Sequence, residues 1–157
     1  MKVKFKKLTN TAVLPSKGTL GSAAYDLVVD ETIKIPRGRS VIPLNFAIGM
    51  PLGIEAKIEP RSGNSAKGML GVYSLTEPIF TRFDCDVIVG KIDSDYTGGI
   101  GVIVNNRDLP FHITKDTAVA QMTFYKVEEA DFYQVEHLDE TDRGEGGFGS
   151  TDKHKGL

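Results

Sequence analysis

The sequence predicts an all-β fold, a barrel or two-sheet sandwich with one short helix and a glycine-rich C-terminal arm. Its 157 residues are 40% hydrophobic and 25% charged, the usual composition of a single globular domain. The 17 glycines and 7 prolines recur so often that the first 60 positions leave little space for a helix of about 10–12 residues. Short runs of β-branched and apolar residues fill the intervals between these breaks.

These runs predict the strands in chain order. Val3 and Phe5 alternate with lysines, which is typical of a half-exposed strand, and the run 32–35 ends at the turn that begins with Pro36. Further strands are expected over residues 41–48, 54–58, 87–92, 100–104 and 119–127. This many short strands indicate two packed sheets or a closed barrel.

One helix and one arm complete the predicted organisation. The helix is expected over Ser62 to Lys67, capped by Ser62 or Asn64 and ended by Gly68. From Leu138 onward the chain is rich in glycine and nearly free of apolar residues, so it has little to bury against a core. We therefore expect a β-barrel domain over 1–138 and a flexible arm over 139–157.

Composition and charge exclude several classes of function. Cys85 is the single cysteine, so no internal disulfide can form, and three scattered histidines provide no paired spacing for a zinc site. A net charge of −2 argues against binding to nucleic acid. No apolar run approaches the roughly 18 residues of a membrane span. We expect a soluble, cytoplasmic protein without a membrane partner.

Residues 92–102 hold the densest cluster of polar side chains and glycines. Their pattern predicts a hairpin with positive φ at Gly98 or Gly99. Strand alternation would place Asp93 and Asp95 on one face. The cluster fits a plain surface hairpin, in which Asp and Gly are ordinary turn residues, and it also fits a catalytic base beside a charge partner.

Two further segments could bind an anion. Residues 144–151 resemble a phosphate loop but lack the lysine and the following helix of a Walker motif, so they fit either a backbone anion nest beside Arg143 or a linker. Arg61 followed by Ser62 and Gly63 offers a guanidinium and a hydroxyl, and fits either an anion site or a strand-to-helix turn. Asp26 is a lone carboxylate in an apolar stretch.

Taken in order, these segments resemble the five motifs of the trimeric deoxyuridine triphosphatase (dUTPase) family. The matching stretches are AAYDL at 23–27, PRSGNSAK at 60–67, GKIDSDYTG at 90–98, AVAQM at 118–122 and RGEGGFGST at 143–151. The resemblance implies a jelly-roll subunit and a homotrimer with shared active sites. It also implies Mg²⁺-dependent hydrolysis of dUTP to dUMP and pyrophosphate, which limits uracil incorporation into DNA and supplies dUMP for dTMP synthesis.

The resemblance also implies a role for each matching position. Asp93 would be the general base, Tyr96 would pack on the deoxyribose, the backbone around Gly90 would read the uracil edge, and Asp26 would hold Mg²⁺ through water. The residues implied to bind the phosphate chain are Arg61, Ser62, Gly63 and Gln121. From the arm, acting as a lid, Phe148 would cover the uracil, and the residues closing over the phosphates would be Arg143, Gly149, Ser150 and Thr151.

The sequence departs from the family pattern in three places. Asp116, Thr117 and Ala118 stand where the fourth motif usually begins Gly-Asp-Arg. Asn64 and Ser65 stand where Leu-Ala is commoner. The segment 68–90 is longer than usual and is expected to form an added hairpin, in which Cys85 packs into the core.

Two other functions are known for proteins that resemble this fold. A dCTP deaminase would carry a catalytic Glu ten residues after Asp93, where this chain has Ile103. A nucleotide-sensing or regulatory trimer would use the fold without turnover, with the added hairpin as its contact surface.

Overall fold

The computed structural model describes residues 1–146 and confirms an all-β chain with one short helix. The elements are β1 Lys4–Lys7, β2 Tyr25–Val28, β3 Ile33–Ile35, β4 Gly38–Gly49, β5 Ile54–Glu59, α1 Ser62–Lys67, β6 Met69–Gly71, β7 Thr81–Phe83, β8 Cys85–Val87, β9 Gly90–Ile92, β10 Gly99–Asn106, β11 Phe111–Ile113 and β12 Ala118–Lys126. Among the described residues, no helix is long and apolar enough to cross a membrane.

Two antiparallel four-stranded sheets make the body of the fold, with the orders β1-β4-β10-β8 and β2-β12-β5-β9. Two ribbons, β3 with β11 and β6 with β7, complete it. Both sheets contribute alternate side chains to one buried core, for example Phe46 and Val102 from the first sheet and Ile58 and Met122 from the second. The result is the jelly-roll-like architecture that the resemblance implies.

Two predicted β features were wrong at the same crossing between sheets. The single strand expected over 87–92 is two strands, since β8 pairs in the first sheet and β9 in the second. The expected hairpin is absent as well, because β9 pairs with β5 while β10 pairs with β4 and β8. Neither Gly98 nor Gly99 has positive φ, because the segment 93–98 is a crossover between sheets.

The helix has its predicted bounds but not its predicted cap. The N-cap residue is Arg61, and no side chain caps the helix, because Asn64 is buried and bonded elsewhere. Gly68 ends the helix as expected, with φ of +85°. A Cβ at Gly68 would collide with the carbonyl oxygen of Phe83, so only glycine lets β7 pack this closely against the helix end.

The added hairpin expected within 68–90 is present as β6 paired with β7. Its base joins the core through Phe83, whose ring stacks on Phe111 at a centroid distance of 3.9 Å. Cys85 is buried as predicted, and this burial raises the pKa of its thiol to about 12. Cys85 therefore packs in the core as a neutral thiol, because a reactive cysteine must form a thiolate.

A buried carboxylate ties the N-terminal segment to the second and fourth strands. Asp30 accepts hydrogen bonds from the hydroxyls of Thr9 (2.9 Å) and Thr11 (2.7 Å) and from the amide of Asn45 (2.8 Å). Asn45 adopts a left-handed φ of 56°, which asparagine tolerates better than most residues. Burial raises the pKa of Asp30, but the three hydrogen bonds together outweigh burial and hold that pKa below its ordinary value.

We expect Asp30→Asn to make the free energy of unfolding less dependent on pH between about pH 3 and pH 7. A group whose pKa is lowered by folding stabilises the native state above its unfolded pKa of about 4, and this contribution disappears as the pH falls through the folded pKa. At pH 7 the variant should lose about 1–3 kcal/mol of unfolding free energy, since an amide cannot accept all three bonds. The deficit, measured by urea unfolding, should shrink near pH 3.

The exposed neighbour Glu31 supplies the matched control for this experiment. Glu31→Gln should leave the unfolding free energy close to that of the parent at both pH values. An equal deficit for Asp30→Asn at pH 7 and near pH 3 would contradict a role for the ionised form of Asp30.

Candidate active site

An open cleft of about 590 Å³ lies over the outer face of β2, β12 and β5, where α1 begins. Its size is that of a small-molecule site. The lining residues are Gly18, Ser22, Ala23, Ala24, Asp26, Glu59, Arg61, Ser62, Gly63, Gln121, Thr123 and Tyr125. The structure thus brings together all five residues that the resemblance assigns to the metal and the phosphate chain, apart from the arm.

Strand register places three of these side chains in one row. Gln121 on β12 is opposite Asp26 on β2 and opposite Glu59 on β5. A register shift between Ala118 and Ala120 sets this phase, and two consecutive residues, Val119 and Ala120, are buried there. The bulge turns Gln121 outward toward the cleft.

Arg61 and Asp26 form a two-pronged ion pair inside the cleft. Arg61 Nε donates to Asp26 Oδ1 at 2.9 Å, and Nη2 donates to Oδ2 at 3.2 Å. Nη1 of the same guanidinium donates to the carbonyl oxygen of Ala118 at 3.4 Å. Both side chains keep about a third of their surface exposed (37% and 30%), so water and ligands reach the pair.

Glu59 is a cleft residue that sequence reasoning missed. Its carboxylate accepts a hydrogen bond from Thr123 Oγ1 at 3.1 Å and pairs with Lys57 Nζ at 3.0 Å. The hydrogen bond that Lys57 donates to Glu59, together with the negative charge of Glu59, raises the pKa of Lys57. Alternation along β5 puts Glu59 on the same face as Lys57, but only the pairing of β5 with β12 brings Glu59 to the cleft.

The charges of the cleft are paired before any ligand binds. Arg61 is neutralised by Asp26, and Glu59 is neutralised by Lys57. A polyphosphate therefore needs positive charge from elsewhere, which a divalent cation carries. Asp26 fits such an ion, because each carboxylate oxygen accepts one bond from Arg61 and keeps lone pairs for a hydrated cation.

No group of three or more His, Cys, Asp or Glu side chains converges anywhere in residues 1–146. An ion here would be held by one carboxylate, by water and by the phosphates of a ligand, which is the usual manner of Mg²⁺.

The predicted base lies at the other end of the same sheet. β9 runs antiparallel to β5 and its last residue, Ile92, is opposite Ala56, so the same register continued by one residue would put Asp93 opposite Glu55. Along β5 and its extension, Arg61 is six residues beyond Glu55. At about 3.3 Å per residue, the Cα atoms of Glu55 and Arg61 are roughly 20 Å apart. One chain therefore does not bring Asp93 and Arg61 together.

The loop 93–98 that follows β9 is exposed and compact. Asp93 and Asp95 lie beyond the end of β9, so the alternation that was to put them on one strand face does not apply. A turn closed by the amide of Tyr96 on the carbonyl of Asp93 (3.1 Å) replaces it. The Tyr96 ring is 47% exposed, and its hydroxyl donates to the carbonyl of Gly99 at 3.1 Å.

Gly90 and Arg143 are the remaining candidates that the structure describes. Gly90 pairs with Ile58 at the start of β9, and a Cβ there would meet open space. Arg143 is exposed and donates from Nε to the carbonyl of Gly146 at 2.8 Å, away from the cleft lining. The other arm candidates lie outside the described residues: Phe148, Gly149, Ser150 and Thr151.

Comparison with known sequences points to one family. The family model described as dUTPase matches residues 10–77 and 83–152, and the break at 78–82 falls in the added hairpin. The deoxyuridine 5'-triphosphate nucleotidohydrolase of Arabidopsis thaliana is 40% identical over 150 residues, covering 94% of this chain and 81% of that protein. The enzyme of the same name from Nautilia profundicola is 37% identical over 155 residues, covering 98% and 100%.

Solved structures with the same fold come from staphylococcal phages. A variant dUTPase of Staphylococcus bacteriophage 80alpha with dUpNHpp superposes with a TM-score of 0.80 at 22% identity, covering 96% of this chain and 98% of that one. A dUTPase variant from phage phi11 of S. aureus superposes with a TM-score of 0.72 at 20% identity, covering 88% and 99%, and that structure is described as revealing the coordination of a structural Mg(II) ion.

Proposed function

The chain belongs to the dUTPase family and is a dUTP diphosphatase; we propose that its cleft holds the triphosphate of dUTP while Asp93 of another subunit activates the attacking water. The observation that carries this proposal is the cleft itself. It gathers an arginine, a serine hydroxyl, a glycine backbone and a glutamine amide beside the carboxylate of Asp26, which is a donor set suited to a polyphosphate with a cation.

In this proposal Arg61, Ser62, Gly63 and Gln121 hold the phosphate chain. Arg61 can exchange one or both contacts with Asp26 for phosphate oxygens, since the pair is accessible to ligand. The amides of Ser62 and Gly63 lie in the first helical turn, where the helix provides no internal acceptor for them. Gln121 is aimed into the cleft by the β12 bulge.

Family membership supports a divalent metal, and we propose Mg²⁺ bound through water by Asp26. When bound, such an ion neutralises phosphate charge and helps to align the reacting groups. Asp26 would contribute one carboxylate, which Arg61 orients through the two-pronged contact until the phosphates bind.

Asp93 is proposed to accept a proton from the water that attacks the α-phosphorus in line with the departing pyrophosphate. Tyr96 would pack its exposed ring against the deoxyribose, where a 2′-hydroxyl would not fit, and the strand edge at Gly90 would meet the uracil. The deaminase alternative is not favoured, since Ile103 on β10 offers no carboxylate for proton transfer.

The separation of roughly 20 Å between Asp93 and Arg61 supports a homotrimer with shared sites. One subunit would supply the cleft and a second would supply the loop 93–98. We propose that the arm from residue 139 completes the site as a lid, with Arg143, Phe148, Gly149, Ser150 and Thr151 closing over the nucleotide.

A direct assay with four nucleotides tests which one is the substrate. With Mg²⁺, the protein should convert dUTP to dUMP and pyrophosphate, and should prefer dUTP over dTTP, dCTP and UTP. Chromatography of the four reactions identifies the products. Intact dUTP after prolonged incubation, or dUTP produced from dCTP, would contradict this function.

Asp93→Asn should lower kcat by about 10²–10⁴ while dUTP binding persists, because the amide keeps the size of the side chain but cannot accept the proton. Asp95→Asn is the matched control, since it removes a carboxylate from the same exposed loop. Steady-state kinetics and binding of dUpNHpp separate the two effects. Parental turnover by Asp93→Asn would show that another group is the base.

If the active sites are shared between subunits, two inactive variants should restore activity when they assemble together. We expect Asp93→Asn and Arg61→Met to be inactive alone and to give about a quarter of parental activity after refolding together at equal ratio. With random assembly, half of the clefts carry Arg61 and half of the facing loops carry Asp93, so ½ × ½ of the sites are intact.

The control mixture contains Asp93→Asn and a chain that carries both substitutions, and it should stay inactive. A first mixture that sediments as a trimer without activity would show that Asp93 and Arg61 serve one site from the same chain.

A further inference from the structure

Asn64 is a buried polar residue that joins three elements at the edge of the cleft. Its amide nitrogen donates to the carbonyl of Val119 on β12 at 3.0 Å and contacts the sulfur of Met69 on β6 at 3.4 Å. Its amide oxygen accepts from Nη1 of Arg82 on β7 at 3.4 Å. Only 7% of the residue is exposed, so water reaches it poorly and these partners satisfy most of its polar atoms.

Arg82 belongs to the added hairpin and holds the helix end directly. The same Nη1 donates to the carbonyl of Gly68 at 3.0 Å, the residue that ends α1. The backbone of the next residue, Phe83, packs against Gly68 so tightly that no Cβ would fit there. The hairpin therefore clamps the C-terminal end of the helix whose first turn contains Ser62 and Gly63.

Asn64 and Arg82 join a part of the chain that the family model matches to a part that it does not. Asn64 lies within the matched residues 10–77, and Arg82 lies in the unmatched stretch 78–82. Leucine at position 64 would offer no acceptor to Arg82 and no donor to Val119. The buried asparagine is satisfied by a donor that the added hairpin supplies.

Asn64 is also linked, through neighbouring backbone carbonyls of β12, to the residues proposed to bind the phosphate chain. The carbonyls of Ala118 and Val119 at the β12 bulge accept from Arg61 and Asn64 respectively, and Gln121 follows two residues later. A change in the position of Asn64 would therefore shift the backbone that aims both Arg61 and Gln121.

We propose that Arg82 is a positioning residue for the phosphate-binding cleft and that it acts through Asn64. The added hairpin thereby sets the affinity for the triphosphate without touching the nucleotide. This inference rests on the proposed binding of the phosphate chain by Arg61, Ser62, Gly63 and Gln121.

Arg82→Met removes the donors and keeps most of the aliphatic length, so it tests the proposal directly. We expect KM for dUTP and the dissociation constant of dUpNHpp to rise about threefold to tenfold, because the contacts with Asn64 and Gly68 are lost, with kcat within about twofold of the parent. Arg107→Met is the matched control. It removes an exposed arginine bound to Asp84 and Asp86, and both constants should stay parental.

A double-substitution cycle shows whether Arg82 acts through Asn64. Asn64→Leu should raise KM by a similar factor, and adding Arg82→Met to it should produce a smaller rise than in the parent, since the contact with Asn64 is already lost and only the contact with Gly68 remains. Arg82→Lys keeps a donor on a long chain and should recover part of the affinity. It also replaces Arg82→Met in the comparison if the methionine variant does not fold.

Parental KM and dUpNHpp affinity in Arg82→Met would overturn the inference, and so would full additivity with Asn64→Leu. Failure of the parent protein to hydrolyse dUTP would instead overturn the proposed function. The parent reaction is measured first, so the two failures are distinguishable.

Discussion

The register of β12 between β2 and β5 is the constraint on which the cleft depends. It places Asp26, Gln121 and Glu59 in one row, and the bulge at Val119 sets which side chains face outward. A slip of one residue would bury Gln121 and expose Met122, which is fully packed in the core. The hydrophobic core therefore fixes which side chains line the cleft, because the buried and the cleft-facing residues lie on opposite faces of one strand.

Charge pairing neutralises the carboxylates of this row before any ligand binds. Asp26 with Arg61 and Glu59 with Lys57 neutralise each other at partly exposed positions. Such pairs contribute little to folding, about 0–1 kcal/mol each. They are consequently easy to open, and a ligand that brings phosphate and a cation together can replace the Asp26 contact of Arg61 without a large cost to the fold.

The crossing between sheets separates the proposed base from the proposed phosphate-binding residues. The chain leaves the second sheet at Ile92 and enters the first at Gly99, so the connecting loop carries Asp93 and Tyr96 at the end of β5 away from Arg61. In the proposed trimer, the loop and the cleft of one subunit would serve different sites. Of these two parts, the added hairpin contacts only the cleft, through Arg82 and Asn64. We therefore expect it to affect phosphate binding more than proton transfer to Asp93.

The sequence by itself determined the all-β class, the bounds of the helix, most of the longer strands and the five motifs, because these depend on local alternation, on glycine and proline breaks, and on residue identity. It did not determine the split of 87–92 into two strands, the crossover in place of a hairpin, or the short strands β2 and β11. Those features follow from pairing with residues far along the chain. Glu59 and the Asn64–Arg82 contact were likewise decided by tertiary structure alone, since register and packing join side chains that no local pattern relates.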